Sequence, residues 1–239
     1  MPVVFAHRGG ASLRPENTIL AFDHGLALGA DGIEFDVHLS RDGVVVVHHD
    51  TTLERTTNGT GPIAARTADE LARLDAGYHF PGFRGQGGGI PRLTEVLSRY
   101  RDARFIIELK VNAPELAHKT IDAVRAAGAV ERTALGSFGT RVLRAARAYE
   151  PRIRTGASQE ETRLALYRSW VRWPVRHPPY REATRILCPV DPPTAPNRPL
   201  PNLALLDQGH RHRAPGACRA CGVPAGHGRH QVHGGGRHC

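Results

Sequence analysis

The chain has 239 residues, 40% of them hydrophobic, and a formal net charge of +9, which is enough chain for one domain with a substantial core. No apolar run approaches bilayer length, and Met1 leads almost at once into Val3-Val4-Phe5 and then His7-Arg8; this leaves no room for a signal peptide and points to a cytoplasmic protein without stable membrane insertion. Lys110 and Lys119 are the only lysines, and the arginines are scattered without interleaved aromatics, so the charge reads as a coding bias and not as a nucleic-acid surface.

Residues 3–5 predict a first strand, which runs into His7-Arg8-Gly9-Gly10. Ile19, Phe22 and Leu26 have helical spacing. Residues 33–39 predict a second strand whose side chains alternate, so Glu34 and Asp36 share one face while Ile33, Phe35 and Val37 share the other. Residues 44–47 predict a third strand that delivers His48-His49-Asp50 at its end. The stretch 51–89 is longer than an ordinary connection and closes on Gly85-Gln86-Gly87-Gly88-Gly89, which predicts a mobile insertion or lid. Helical spacing returns at Leu71 and Leu74, and again at Leu93, Val96 and Leu97. Residues 105–109 predict a fourth strand with Glu108 and Lys110 on one face. Leu116, Ile121 and Val124, a strand at 133–137, Val142 with Ala146, and a strand at 152–156 complete the series. This alternation predicts an α/β fold with a parallel sheet, and an α/β barrel fits the length.

The composition changes near residue 188. Beyond it there is no Phe, Trp, Tyr, Ile, Lys or Glu, yet this stretch holds all four cysteines. The chain therefore divides into a barrel domain at 1–187 and a low-complexity tail at 188–239, read as disordered or as an out-of-frame translation of a GC-rich gene. A rival reading makes Cys218, Cys221, His227, His230 and His233 a zinc module, but the gap between Cys221 and His227 is short and no apolar residues surround it.

Two carboxylates on a face otherwise fit for burial need a compensating cation. Glu108 adds a third, and three hard oxygen donors suit Mg²⁺ or Ca²⁺ better than zinc. With strand-end histidines, Arg8 and Lys110, these are the groups that phosphodiester cleavage uses: cations for the phosphoryl oxygens and imidazoles to exchange protons. His48 reads as a neighbour of the catalyst, and His38 as an inward or rim polar residue.

The stretches Ala6-His7-Arg8-Gly9-Gly10, Pro15-Glu16-Asn17-Thr18, Asp31-Gly32-Ile33-Glu34-Phe35-Asp36-Val37, Val47-His48-His49-Asp50, Leu53-Glu54-Arg55-Thr56-Thr57 and Ile107-Glu108-Leu109-Lys110 resemble, in order and spacing, the glycerophosphodiester phosphodiesterases. The resemblance implies a (β/α)₈ TIM barrel of the type found in phosphatidylinositol-specific phospholipase C. It implies hydrolysis of a small glycerophosphodiester to sn-glycerol 3-phosphate and an alcohol. By motif, His7 and His49 would be the acid–base pair in either order, and Glu34, Asp36 and Glu108 would hold one Mg²⁺ or Ca²⁺. Arg8 would grip the phosphate, Lys110 would help at the phosphate or glycerol end, Glu16 would support this substrate-binding set, and Asn17 would be structural. The match fades after about residue 157. The Trp-Thr-Val-Asn and Thr-Asp-x-Pro type segments that end such barrels are absent, so the last strands are expected to be missing or garbled. An inactive relic of the enzyme, or a phosphodiesterase acting on a lysophospholipid, are the alternatives.

Overall fold

A computed structural model of the chain describes residues 3–170 and 185–187. Trp173, the tail and its cysteines and histidines lie outside them. Among the described residues, seven strands form one sheet: β1 Val4–His7, β2 Gly32–Leu39, β3 Val45–Val47, β4 Arg104–Leu109, β5 Thr133–Gly136, β6 Arg154–Thr155 and β7 Arg185–Leu187. Their order is β6-β5-β4-β2-β1-β7, with β3 paired to β2 off this path. Every pair except β2–β3 is parallel. The late strand β7 lies beside β1, which is how a TIM-type barrel brings its end back to its beginning. Among the described residues no helix is long and apolar enough to cross a membrane.

All six strands read from the sequence are present. β7 was not read, because three residues carry no detectable alternation. Helices α1 (Ile19–Ala27), α3 (Leu93–Arg99), α4 (Pro114–Ala126) and α5 (Thr140–Tyr149) carry the apolar spacings noted above. Their buried faces meet the outward face of the sheet: Ile33, Phe35, Val37, Phe105, Ile107 and Leu109 join Leu93, Val96, Leu97, Leu116, Ile121, Val124, Val142 and Leu143 in one core. Phe35 packs between Phe22 and Phe105, with ring centroids 5.6 and 5.9 Å away. The period-2 pattern of β2 and β4 thus gives one face to this core and leaves the other for Glu34, Asp36, His38 and Glu108.

The third strand departs from the parallel pattern, and its direction matters. β2 is eight residues long and outruns β1, whose last pairing is His7 with Glu34. Its end, Val37–Leu39, turns through Ser40–Gly43 and pairs antiparallel with β3. The chain therefore travels back along β2, and the His48 N–H bonds the Asp36 carbonyl at 3.0 Å. His48, His49 and Asp50 emerge at the level of the carboxylates for that reason.

The segment 51–89 holds the short helix α2 (Ala68–Ala72), capped reciprocally by Thr67 and Glu70. Leu53, Ile63, Ala68, Leu71 and Ile90 pack with Val46 into a second, smaller apolar cluster. The glycine run lies against the backbone at Ala76 and Gly77: Gly88 O accepts from the Ala76 N–H at 2.8 Å, and a Cβ on Gly87 would lie 2.1 Å from the Gly77 nitrogen. Close backbone approach accounts for that glycine.

Gly9 is required for both of its properties. Its φ is +81°, and a Cβ there would come within 2.7 Å of the Ala21 carbonyl carbon and of Phe22. Gly9→Ala is therefore expected to cost about 2–5 kcal/mol, from left-handed strain plus overpacking against α1. A lowered urea midpoint with unchanged slope checks this.

Candidate active site

The sheet brings the site together by register. His7 pairs with Glu34 across β1 and β2, and Asp36 pairs with Glu108 across β2 and β4. With alternation placing all of these on the inner face, one ligand atom each from Glu34, Asp36 and Glu108 lies within 4.8 Å of the others. Glu34 is 4% exposed and Asp36 is 1% exposed. Burial, reinforced by the Asp36 charge, pushes the Glu34 carboxyl well above its ordinary range.

The turn after β1 supplies the surrounding cations. Arg8 sits at φ +50°, a conformation rare for a side chain of this size. In that pose its N–H bonds both the Glu34 carbonyl (2.8 Å) and Glu34 Oε2 (3.1 Å). Its guanidinium reaches Glu16 Oε1 at 3.2 Å and lies 3.2 Å from Asp36 Oδ2. Asn17, also left-handed at φ +58°, donates to Asp36 Oδ2 at 3.0 Å, while its Oδ1 takes the Asp36 N–H at 3.4 Å. It fills the edge of β2 that β1 has left. Lys110 Nζ stands 3.1 Å from Glu108 Oε1 and 3.4 Å from Asp36 Oδ1.

The histidines differ in setting. His7 Nε2 is 3.8 Å from Glu34 Oε2. Burial, then the Arg8 charge, lowers its pKa, with Asp36 and Glu16 acting in the opposite sense and His49 adding a smaller lowering. His49 Nδ1 bonds Asp50 Oδ1 at 2.6 Å. Its carbonyl meets Nε2 of buried His38 at 3.1 Å, and burial lowers the His38 pKa to about 4. His48 turns away, with Nε2 3.1 Å from the Thr52 carbonyl. Glu16, expected within the substrate-binding set, has both oxygens on guanidinium groups: Arg8 and Arg55 on Oε1, Arg55 on Oε2.

The residues fit a divalent cation. Asp36 Oδ1 is buried and accepts no hydrogen bond. Among the described residues around it, five carboxylates (Glu16, Glu34, Asp36, Glu108, Asp50) face three cations (Arg8, Arg55, Lys110), so carboxylates outnumber cations by two, and the raised pKa of Glu34 reflects burial together with that imbalance. Burying such an excess is costly unless a cation offsets it, and the donors are all hard oxygen atoms.

Sequence reasoning picked out His7, Arg8, Glu16, Glu34, Asp36, His49, Glu108 and Lys110, all of which converge here. It missed the contacts of Asp50 and Arg55, and that Asn17 bonds Asp36. Their signal was present, since Asp50 follows His49 directly and Arg55 lies within the stretch 53–57.

Comparison with known proteins gives a consistent result. The model of the glycerophosphoryl diester phosphodiesterase family matches residues 7–183. A glycerophosphodiester phosphodiesterase of Caldanaerobacter subterraneus subsp. tengcongensis is 40% identical over 159 residues, 64% of this chain and 65% of that protein. The chain thus spans less than two thirds of the length of such curated relatives. Among solved structures, a glycerophosphodiester phosphodiesterase from Agrobacterium tumefaciens is 40% identical with a TM-score of 0.61, covering 65% of this chain and 66% of that one. An Oleispira antarctica phosphodiesterase in complex with its product sn-glycerol-3-phosphate is 32% identical with a TM-score of 0.58, covering 69% and 71%. With the site residues in place on a parallel α/β sheet, the chain belongs to the glycerophosphoryl diester phosphodiesterase family.

Proposed function

We propose that the chain hydrolyses small glycerophosphodiesters to sn-glycerol 3-phosphate and an alcohol, with one divalent cation and two histidines. The observation that carries this reading is the convergence of three carboxylates, Glu34 and Asp36 buried and Glu108 partly so, within 4.8 Å, with His7 Nε2 3.8 Å from Glu34. The catalytic body is assigned to residues 1–187, with 51–89 inserted between β3 and α3.

Glu34, Asp36 and Glu108 would hold the cation. When bound, Mg²⁺ or Ca²⁺ would neutralise negative charge that grows on the phosphoryl oxygens. Arg8, pinned by Glu16 and Asp36, presents a fixed guanidinium to the phosphate. Lys110 adds a second positive charge from β4. One imidazole removes a proton from water as the new P–O bond forms. The other donates its proton to the alcohol oxygen as the old P–O bond breaks, so neither hydroxide nor alkoxide need exist free.

Two measurements test this. Purified chain incubated with glycerophosphocholine and Mg²⁺ or Ca²⁺ is expected to release glycerol 3-phosphate, and chelation should stop it. Independently of turnover, the cation at about 100 times its Kd should stabilise the fold by about 2.7 kcal/mol. A melting temperature that ignores both cations would sink the metal assignment.

A further inference from the structure

Asp50 and Arg55 take no part in the hydrolysis as proposed, yet they sit in a continuous chain of charge-assisted bonds. Asp50 Oδ1 lies 2.6 Å from His49 Nδ1, and its other oxygen accepts from Arg55 Nε. The two terminal nitrogens of Arg55 close on Glu16 at 2.9 and 2.6 Å, a bidentate fork between residues 39 positions apart. Glu16 in turn holds Arg8. The loop after β3, which carries His49, is thereby tied to the turn after β1, which carries the phosphate-gripping arginine. On the far side, His38 fixes the His49 carbonyl. A half-exposed arginine on a carboxylate is by itself worth little. Here the geometry is bidentate, Glu16 is mostly buried, and each carboxylate serves two partners. Burial alone would raise the Asp50 pKa, but its bonds to His49 and Arg55 hold it well below the usual carboxylate range.

We propose that Asp50 is a positioning residue for His49, and that Arg55, by bridging Asp50 to Glu16, sets the His49 ring in register with Arg8. The inference rests on the phosphodiesterase reading above. Asp50 keeps the Nδ1 proton in place, which puts the exchangeable position on Nε2 whether the ring acts as base or as acid. Arg55 keeps the Asp50 carboxylate oriented, and its fork makes the span between the two loops rigid.

The test combines kinetics with ¹⁵N NMR of the His49 ring in the full chain. Asp50→Asn is expected to lower kcat by at least about 10-fold, the loss of one charge-assisted bond, with KM within about twofold. In a His49→Ala background, followed on an activated nitrophenyl diester, the same change should cost less than about twofold, because its effect runs through the imidazole. Arg55→Lys keeps the charge without the fork, and should fall between wild type and Asp50→Asn. NMR should show wild-type His49 protonated at Nδ1 and a shift towards Nε2–H in Asp50→Asn. Equal losses in both backgrounds, or a rise in KM alone, would overturn the proposal. So would a wild-type ring protonated at Nε2. If the wild type turns over no diester, the functional reading fails, and the NMR result still decides the role of Asp50.

Discussion

Glu34→Gln is expected to lower kcat for glycerophosphodiester hydrolysis by about 10³-fold, equivalent to about 4 kcal/mol of transition-state stabilisation. The same variant should match or exceed the wild type in thermal stability when no cation is present. The reason is the crowding of carboxylates: Glu34 lies against Asp36 on one strand face and within reach of Glu108 on the next, so ionising it without a cation is unfavourable. Burial and these neighbours favour its neutral form, and glutamine is a neutral group of the same shape. The N–H of Arg8 keeps an acceptor, since the amide oxygen can replace Oε2. Adding Mg²⁺ or Ca²⁺ should then raise the melting temperature of the wild type but leave the variant almost unmoved. Such an exchange of stability for function is common where a site concentrates like charges. A variant that loses both stability and activity would mean that Glu34 is structural, and one that keeps its activity would remove it from the site.

His7→Ala and His49→Ala should each reduce kcat by about 10²–10⁴-fold while leaving cation uptake near that of the wild type. The two can be told apart by the leaving group. A nitrophenolate departs without needing a proton, so the variant lacking the general acid should recover most of its rate on a nitrophenyl diester. The variant lacking the base should stay slow on both substrates. If both variants recover equally, the division of labour between two imidazoles is wrong.

The legible part of the site is that which depends on short-range pattern. Alternation along β2 put Glu34 and Asp36 on one face, and the same alternation on β4 aligned Glu108 with Lys110. The register Asp36 to Glu108 then follows from parallel neighbours. Apolar spacing at three and four residues located α1, α3, α4 and α5. What failed to show was everything set by long-range return of the chain. That β3 runs antiparallel, carrying His49 back to the level of Asp36, depends on how far β2 outruns β1. The fork between Arg55 and Glu16 joins loops whose meeting no local period encodes. Asn17 was read as structural, and its left-handed backbone places both ends of its amide on Asp36, side chain and main chain alike, contacts that the sequence did not show. The glycines at 85–89 suggested mobility, and no local pattern signalled the close approach of Gly87 to Gly77.

The barrel-type fold follows from the same balance. One face of the sheet is covered by helices over a continuous apolar core, and the other face gathers polar groups where strand ends meet loops, the usual place for chemistry in such folds. Rigidity matters there, because catalysis by fixed charge requires that donors stay aimed while water is excluded. The left-handed Arg8 and Asn17, both held by bonds to β2, are the clearest sign that the backbone is committed to that geometry.

Calorimetric titration of chelator-treated protein with Mg²⁺ and with Ca²⁺ goes to the heart of the matter: whether Glu34, Asp36 and Glu108 share a single ion. Saturable uptake of one equivalent by the wild type, abolished in Asp36→Asn, is the predicted result. No uptake of either cation, or uptake undiminished in that variant, would contradict it.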